Sequence, residues 1–341
     1  MTRLRVAVAG TGYFSQFHVD AWSRCEEVEI VGICGLEADT VARIAAVLRV
    51  PAFADAGEML DAVKPDLLDI ITPPDTHVSL IETAASRDVN VVCQKPFCGS
   101  LDRATAAVET ARNADITLIV HENFRFQPWY QEIVRQIESD RLGELFQATF
   151  RLRPGDGQGV DAYRDRQPYF RNMPRFLIHE TVVHFIDAFR FLFGEPQSVF
   201  ADLRRLNPSI VGEDAGLVVL SFQNGLRGLI DGNRLASHMA ENPRRTMGEM
   251  LVEGEKGSLS LNGDAALEFR SHAAQETQRV DYDWDDVGFG GDCVYRFTRH
   301  VVDHFCHGAA LQTEAEAYLA NLRIVEAIYE SASQRRVVDL T

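Results

Sequence analysis

The chain has 341 residues, a length that accommodates two domains. It is 46% hydrophobic and 25% charged, the balance of a globular protein, and its formal net charge of -16 opposes non-specific binding to nucleic acid or anionic membrane. No apolar segment reaches the roughly 18 residues of a membrane span, and the first apolar run is too short for a signal peptide, so a cytoplasmic location is expected.

The first element is the apolar run Val6 to Ala9, read as a buried strand. It ends in Gly10-Thr11-Gly12, and Phe14, Phe17 and Trp22 then open a helical pattern. Strand, glycine turn and helix together form the setting in which G-x-G means dinucleotide binding. Gly10 permits a tight turn, Gly12 lets a pyrophosphate approach the main chain, and the helix N-terminus offers free N–H groups. Ser15 stands where the motif has its third glycine.

Val28 to Cys34 reads as a second strand. A helix over Thr40 to Leu48 follows, with Val41, Ile44, Ala45 and Leu48 on one face. Phe53 marks a short third strand. Leu67 to Ile71 is a fourth, ending in Thr72-Pro73-Pro74 before a helix from Asp75. Val89 to Cys93 is a fifth, ending in Gln94-Lys95-Pro96 before a helix through Ala104 to Arg112. Ile116 to Val120 is a sixth, ending in His121-Glu122-Asn123. Apolar strands alternating with helices predict a parallel sheet covered on both faces, with ligands beyond the carboxyl ends of its strands. A Rossmann domain over residues 1–125 is expected.

The pattern then changes. A helix over Pro128 to Arg141 precedes longer alternating runs: Phe146–Leu152, Val199–Leu206, Gly216–Phe222, Leu226–Ile230, Met250–Glu253 and Ser258–Leu261. Asn224-Gly225 is a hairpin signal, and Gly254 to Gly257 is a second turn. Residues 126–341 therefore predict an α/β domain with a mostly antiparallel open sheet. One helix, Phe176 to Phe193, interrupts it; two more, Val294 to His307 and Glu314 to Ala332, close the chain. The irregular stretch Arg153 to Pro174 is polar and long enough to cover a substrate. The six cysteines form no C-x-x-C pair, so reduced, mostly buried thiols are expected.

Two places carry candidate chemistry. Lys95 leaves the carboxyl end of a parallel strand, where an ammonium can bond a substrate hydroxyl; a plain surface lysine is the alternative. In the helix after Phe176, Glu180, His184 and Asp187 are spaced i, i+4, i+7 and share one face. An imidazole there can shuttle a proton, with a carboxylate fixing its tautomer; a solvated stripe or a core histidine satisfied by Asp187 is the alternative. His179-Glu180 with His184 has one residue too many for the H-E-x-x-H zinc motif. His300, His304 and His307 share a helix face with Asp303 and Cys306, read as a solvated or oligomer-facing stripe, so no metal is expected. An NAD site places an acid at the end of the second strand. Here that position is Gly35, and Glu37 is the nearest acid. Arg43 is the first basic residue after it, which favours NAD over NADP.

Assembled in order, these segments resemble the Gfo/Idh/MocA family of sugar and inositol dehydrogenases. The matching stretches are Ala9-Gly10-Thr11-Gly12, Thr72 to His77, Gln94-Lys95-Pro96, Asn123-Phe124-Arg125-Phe126, Glu180-(x3)-His184-(x2)-Asp187, Val252 to Leu259 and Ile324 to Ser331. The resemblance runs the full length. It implies that Lys95 orients substrate and tunes the acid/base, that His184 accepts the proton, that Glu180 or Asp187 contacts substrate or orients, and that Asn123 lies near the nicotinamide. The cofactor contacts expected are then Gly10, Gly12, Tyr13, Phe14, Glu37, Thr72, His77, Gln94, Lys95 and Asn123. Those for substrate are Lys95, Arg125, Tyr163, Arg164, Gln167, Glu180, His184 and Asp187. The sequence departs from the family pattern at Ser15, Gly35, Gln94 (usually Glu) and Glu180 (commonly Asp).

The activity this implies is NAD-dependent oxidation of a monosaccharide, an aldose to its lactone, with a branched pentose such as D-apiose among the candidates. An inositol or polyol dehydrogenase is the nearest rival. An enzyme that keeps NAD bound for transient oxidation, or a non-catalytic NAD-binding sensor, remains open. The family's open sheet implies a homodimer or homotetramer.

Overall fold

The computed structural model describes residues 3–165, 167–274 and 276–340. The chain divides into two units. One runs to Asn123 and resumes at Asp292–Leu322; the other comprises Phe124–Gly291 and the chain from Arg323 onward. Residues 292–322, expected within the domain 126–341, fall by compactness in the first unit. The helix Cys293–His307 carries the polar contacts that hold it there: Arg299 pairs with Glu27 at 2.8 and 2.9 Å, and Arg24 pairs with Asp292 just before the helix at 2.8 and 2.6 Å. Val120 N–H donates to the Thr313 carbonyl as well.

The first unit is a six-stranded sheet of β1 (Leu4–Ala9), β2 (Val28–Cys34), β3 (Ala52–Phe53), β4 (Leu67–Ile70), β5 (Asn90–Gln94) and β6 (Leu118–His121). The order is β3-β2-β1-β4-β5-β6 and every pairing is parallel. The order reverses between β1 and β4, the switch point where doubly wound sheets open a crevice. Helices α1 (Ser15–Ser23), α2 (Ala38–Leu48), α3 (Ala56–Val63), α4 (His77–Ala85) and α5 (Leu101–Asn113) alternate with the strands. Val8, Ile33 and Ile71 pack with Val41 and Ala45 of α2, the face that the helical spacing selects. The sequence reading omitted α3, whose start is set by Asp55 accepting the Glu58 N–H at 2.9 Å.

The second unit holds α6 (Pro128–Glu138), α7 (Val183–Phe193) and a nine-stranded sheet. Its strands are β7 (Leu145–Leu152), β8 (Pro196–Arg204), β9 (Ala215–Phe222), β10 (Arg227–Asn233), β11 (Gly248–Gly254), β12 (Gly257–Leu261), β13 (Leu267–Ser271), β14 (Thr277–Val280) and β15 (Val338–Asp339). β7 and β10 run parallel and all other neighbours are antiparallel. Ala148, Phe150 and Leu152 are buried while Gln147 and Arg151 are exposed, so one face packs inward and the other looks out. The hairpin at Asn224-Gly225 forms, with Gly225 at φ +87. The helix expected over Phe176–Phe193 is not uniform: Leu177–Val182 is a π-helical turn, and regular α-helix begins at Val183. The helix Ala315–Gln334 gives its first part to the first unit and its remainder to the second.

Five cysteines are buried and Cys306 is exposed; burial pushes the Cys34 and Cys98 thiols up to about 12. No helix among the described residues is long and apolar enough to cross a membrane.

Candidate active site

The loop after β1 is built for close approach. Gly10 has φ +115, and a Cβ there would lie 2.4 Å from the Ile71 carbonyl oxygen, so glycine is required. A Cβ on Gly12 would meet nothing within 4 Å; that open ground is what a pyrophosphate needs. Ser15, in place of the third glycine, is buried and donates its hydroxyl to the Gly12 carbonyl at 2.7 Å. It therefore closes the loop that the helix springs from. Tyr13 is 49% exposed beside Phe14, which packs on Phe17 at 5.2 Å. Past β2, a Cβ on Gly35 would lie 3.1 Å from side-chain atoms of Thr11 and Val41, so a larger residue there would require those side chains to shift. Glu37 is exposed at the start of α2.

The loop after β4 is stiff. Thr72 and Thr76 hydroxyls bond at 2.6 Å. His77 is fully buried; its Nε2 donates to the Thr72 carbonyl at 2.9 Å and its Nδ1 accepts the Cys98 N–H at 3.4 Å. Burial lowers its pKa to about 4. Both ring nitrogens serve the main chain, so His77 shapes the loop that carries Thr72. After β5, Lys95 is half-buried and its N–H donates to Gln94 Oε1 at 2.7 Å. After β6, buried Asn123 donates to Cys293 Sγ at 3.0 Å. Residues 10–12, 72–77, 94–95 and 123 thus lie at or just past the carboxyl ends of strands in one parallel sheet.

In the second unit His184 is buried and stacks on Phe124, with centroids 3.9 Å apart. One turn on, Asp187 takes both arms of Arg125, at 2.7 and 2.6 Å, in a pair whose side chains are 0% and 11% exposed. Two expected substrate contacts are therefore paired with each other. Glu180 sits in the π turn and meets other partners: it accepts from the Thr181 hydroxyl at 2.6 Å and lies 3.8 Å from Arg234. The π turn has a fixed start, because Glu213 Oε1 accepts the Phe176 and Ile178 N–H groups and the Tyr329 hydroxyl.

Arg234 was missed by the sequence reading. Its side chain is 2% exposed, lies against the Tyr163, Phe170 and Phe176 rings, and grips Asp156 through two nitrogens at 3.1 and 2.6 Å. It also donates to Thr181 Oγ1 at 2.6 Å and to Tyr163 OH at 3.0 Å. Tyr163 is therefore an anchor of the 153–174 stretch; burial raises its pKa. Arg164 pairs with Asp161 on the surface, and Gln167 donates to the Tyr169 hydroxyl at 3.3 Å. An arginine just after a strand carries no distinctive spacing; only its burial gives it away.

In the histidine stripe of the later helix two rings bond the segment that follows, and the third, His307, lies 3.6 Å from Glu27. His300 accepts the Gln312 N–H, and His304 bonds the Ala309 carbonyl. Among the described residues no three His, Cys, Asp or Glu side chains are arranged to hold a metal ion.

Comparison with known proteins shows the family. Residues 4–122 match the oxidoreductase family's NAD-binding Rossmann fold, and residues 134–340 match its C-terminal alpha/beta domain. The D-apiose dehydrogenase of Paraburkholderia graminis is 31% identical over 346 residues, spanning 99% of this chain and 90% of that protein. That of Rhizobium rhizogenes is 30% identical over 349 residues, spanning 100% and 98%. An oxidoreductase from Agrobacterium radiobacter, solved in complex with NAD+, L-tartaric acid and magnesium, superposes with a TM-score of 0.89 at 30% identity over 99% of each chain. The chain belongs to the Gfo/Idh/MocA family of oxidoreductases, with an NAD-binding Rossmann domain and the family's C-terminal α/β domain.

Proposed function

We propose that the chain oxidises an aldose to its lactone with NAD, a branched pentose such as D-apiose being the first candidate. The observation that carries the reaction is His184, buried and stacked on Phe124, next to an Asp187 already engaged by Arg125. With the carboxylate occupied, the imidazole is the group suited to receive a proton. Similarity over essentially the whole length to two D-apiose dehydrogenases supports the substrate.

Bound NAD supplies the hydride acceptor. Gly10, Gly12, Tyr13, Phe14, Glu37, Thr72 and Asn123 hold it, with His77 shaping the Thr72 loop and Gln94 turned toward Lys95 and His18. The sugar hydroxyl gives its proton to His184 as the carbon–hydrogen bond breaks and the carbonyl forms. Lys95 stabilises the developing alkoxide as preorganised positive charge. Tyr163, Arg164, Gln167 and Glu180 line the sugar side, with Arg125 and Asp187 as a buried support. The protein is cytoplasmic in this reading. It pairs with a second copy through the outward face of its open sheet. There Leu251, Thr149, Leu229, Val219 and Phe200 lie in register across five strands.

The test is NADH formation by purified protein with NAD or NADP and a panel of aldoses, branched pentoses and inositols. An NAD-dependent hit on a branched pentose supports the reading. A preference for inositol moves it to the polyol class, and silence with NAD bound sinks dehydrogenation of these sugars.

A further inference from the structure

Asp69 lies in the middle of β4, fully buried in an otherwise apolar strand. A carboxylate there requires partners. Its Oδ2 accepts from Trp22 Nε1 at 2.7 Å and faces His18 Nδ1 at 2.9 Å. On the far side of the ring, His18 Nε2 faces Gln94 Nε2 at 3.2 Å, and Gln94 Oε1 accepts the Lys95 N–H at 2.7 Å. All three side chains, Asp69, His18 and Gln94, are at most 9% exposed.

The direction of this chain is fixed from both ends. A main-chain N–H only donates, so Gln94 turns its oxygen to Lys95 and its NH2 to His18. His18 Nε2 is then the acceptor. An indole N–H only donates, so Asp69 Oδ2 is an acceptor and the single His18 proton sits on Nδ1. The groups facing the ring are Asp69 from β4, Gln94 from β5, His121 from β6 and Phe14 beside α1. His121 stacks on it at 3.9 Å and Phe14 meets it edge-on at 5.6 Å. Asp69 is the only carboxylate among these and His121 the only other titratable ring.

We propose that His18 and Gln94 are positioning residues for Lys95. A one-way, singly protonated chain anchored on Asp69 fixes the main chain from which the Lys95 ammonium projects. The inference rests on the role given to Lys95 above. It also accounts for Gln94 standing where the family pattern has glutamate. A glutamate would set a second acceptor against His18 Nε2, and closing the chain would then take a second proton on the ring. Gln94 closes it without adding charge.

The test uses the full chain, and its first readout requires no activity. Nitrogen NMR of the histidine rings near neutral pH, with His18 assigned through its contacts to Trp22 and Phe14, is expected to show one proton on Nδ1. In Gln94→Glu the same ring is expected to carry two. A wild-type ring protonated on Nε2, or on both nitrogens, overturns the proposal. The second readout is the Lys95 amide. Its resonance keeps a hydrogen-bonded shift in Gln94→Glu and loses it in Gln94→Leu; no change in Gln94→Leu overturns the proposal. Kinetically, Gln94→Leu lowers kcat by about ten- to a hundredfold, the scale of a small misplacement, with NAD affinity retained, and Gln94→Glu recovers most of that loss. Wild-type kcat in Gln94→Leu overturns the positioning role. An inactive wild type would count against the dehydrogenase reading alone, because both NMR readouts stand without turnover.

Discussion

Phe124 lies face to face with His184, the ring planes 5° from parallel. The contact holds the imidazole in one orientation, and the Arg125 that follows Phe124 holds Asp187 one helical turn away. Two adjacent residues thus position two side chains of one helix.

Removing the imidazole tests the assignment most directly. His184→Ala is expected to lower turnover by about a hundred- to ten-thousandfold, the usual share of a general base. NAD binding, followed by fluorescence, should persist, because His184 lies in the second unit and the glycine loop in the first. Turnover within a few-fold of wild type would remove His184 from the mechanism.

The Arg125–Asp187 pair should be costly to break from one side. Arg125→Ala strands a fully buried carboxylate, a loss of about 3–5 kcal/mol by urea unfolding. Replacing both partners with apolar residues of similar size should recover much of that stability, since a buried pair offsets its own desolvation only partly. A single variant as stable as wild type would mean that the pair is not the one holding this segment in solution.

Much of this was legible because glycine and strand patterning leave strong marks. Gly10 is required by the Ile71 carbonyl, and the apolar strands alternate with helices as a parallel sheet demands. Other features lie beyond local pattern. The return of residues 292–322 to the first unit rests on contacts between segments far apart in sequence, such as Arg299 with Glu27, separated by 272 residues. The π turn is hidden because an α-helical spacing of Glu180, His184 and Asp187 reads the same in sequence. It is fixed instead by Glu213, from a distant loop. Asp69 was readable as a charge in an apolar strand, yet its partners His18 and Trp22 emerge only when α1 is laid on the sheet.

Acid should weaken the protein through His77. Burial lowers the pKa of the folded state from 6.5 to about 4. Between those values the unfolded chain binds more protons than the folded one, so stability rises with pH. The contribution is intact above about pH 6.5 and is lost as pH falls toward about 4, by roughly 3 kcal/mol in all. Urea unfolding across this window should show the slope, and His77→Gln should flatten its share. An unchanged slope in the variant would assign the acid sensitivity elsewhere.

The last prediction concerns Arg234. Its guanidinium joins Asp156 and Tyr163 of the 153–174 stretch to Thr181 in the π turn, and aromatic rings enclose it. A lysine carries the charge but cannot present the planar fork that reaches three partners. Arg234→Lys is therefore expected to loosen the stretch while leaving the sheet intact. Limited proteolysis between residues 156 and 174 should accelerate. KM for the sugar should rise about tenfold or more while NAD affinity is kept, because the loss falls on sugar-side residues. If the variant resists proteolysis as wild type does and KM is unchanged, Asp156 and Tyr163 are held by the rest of the loop, and Arg234 acts in packing alone.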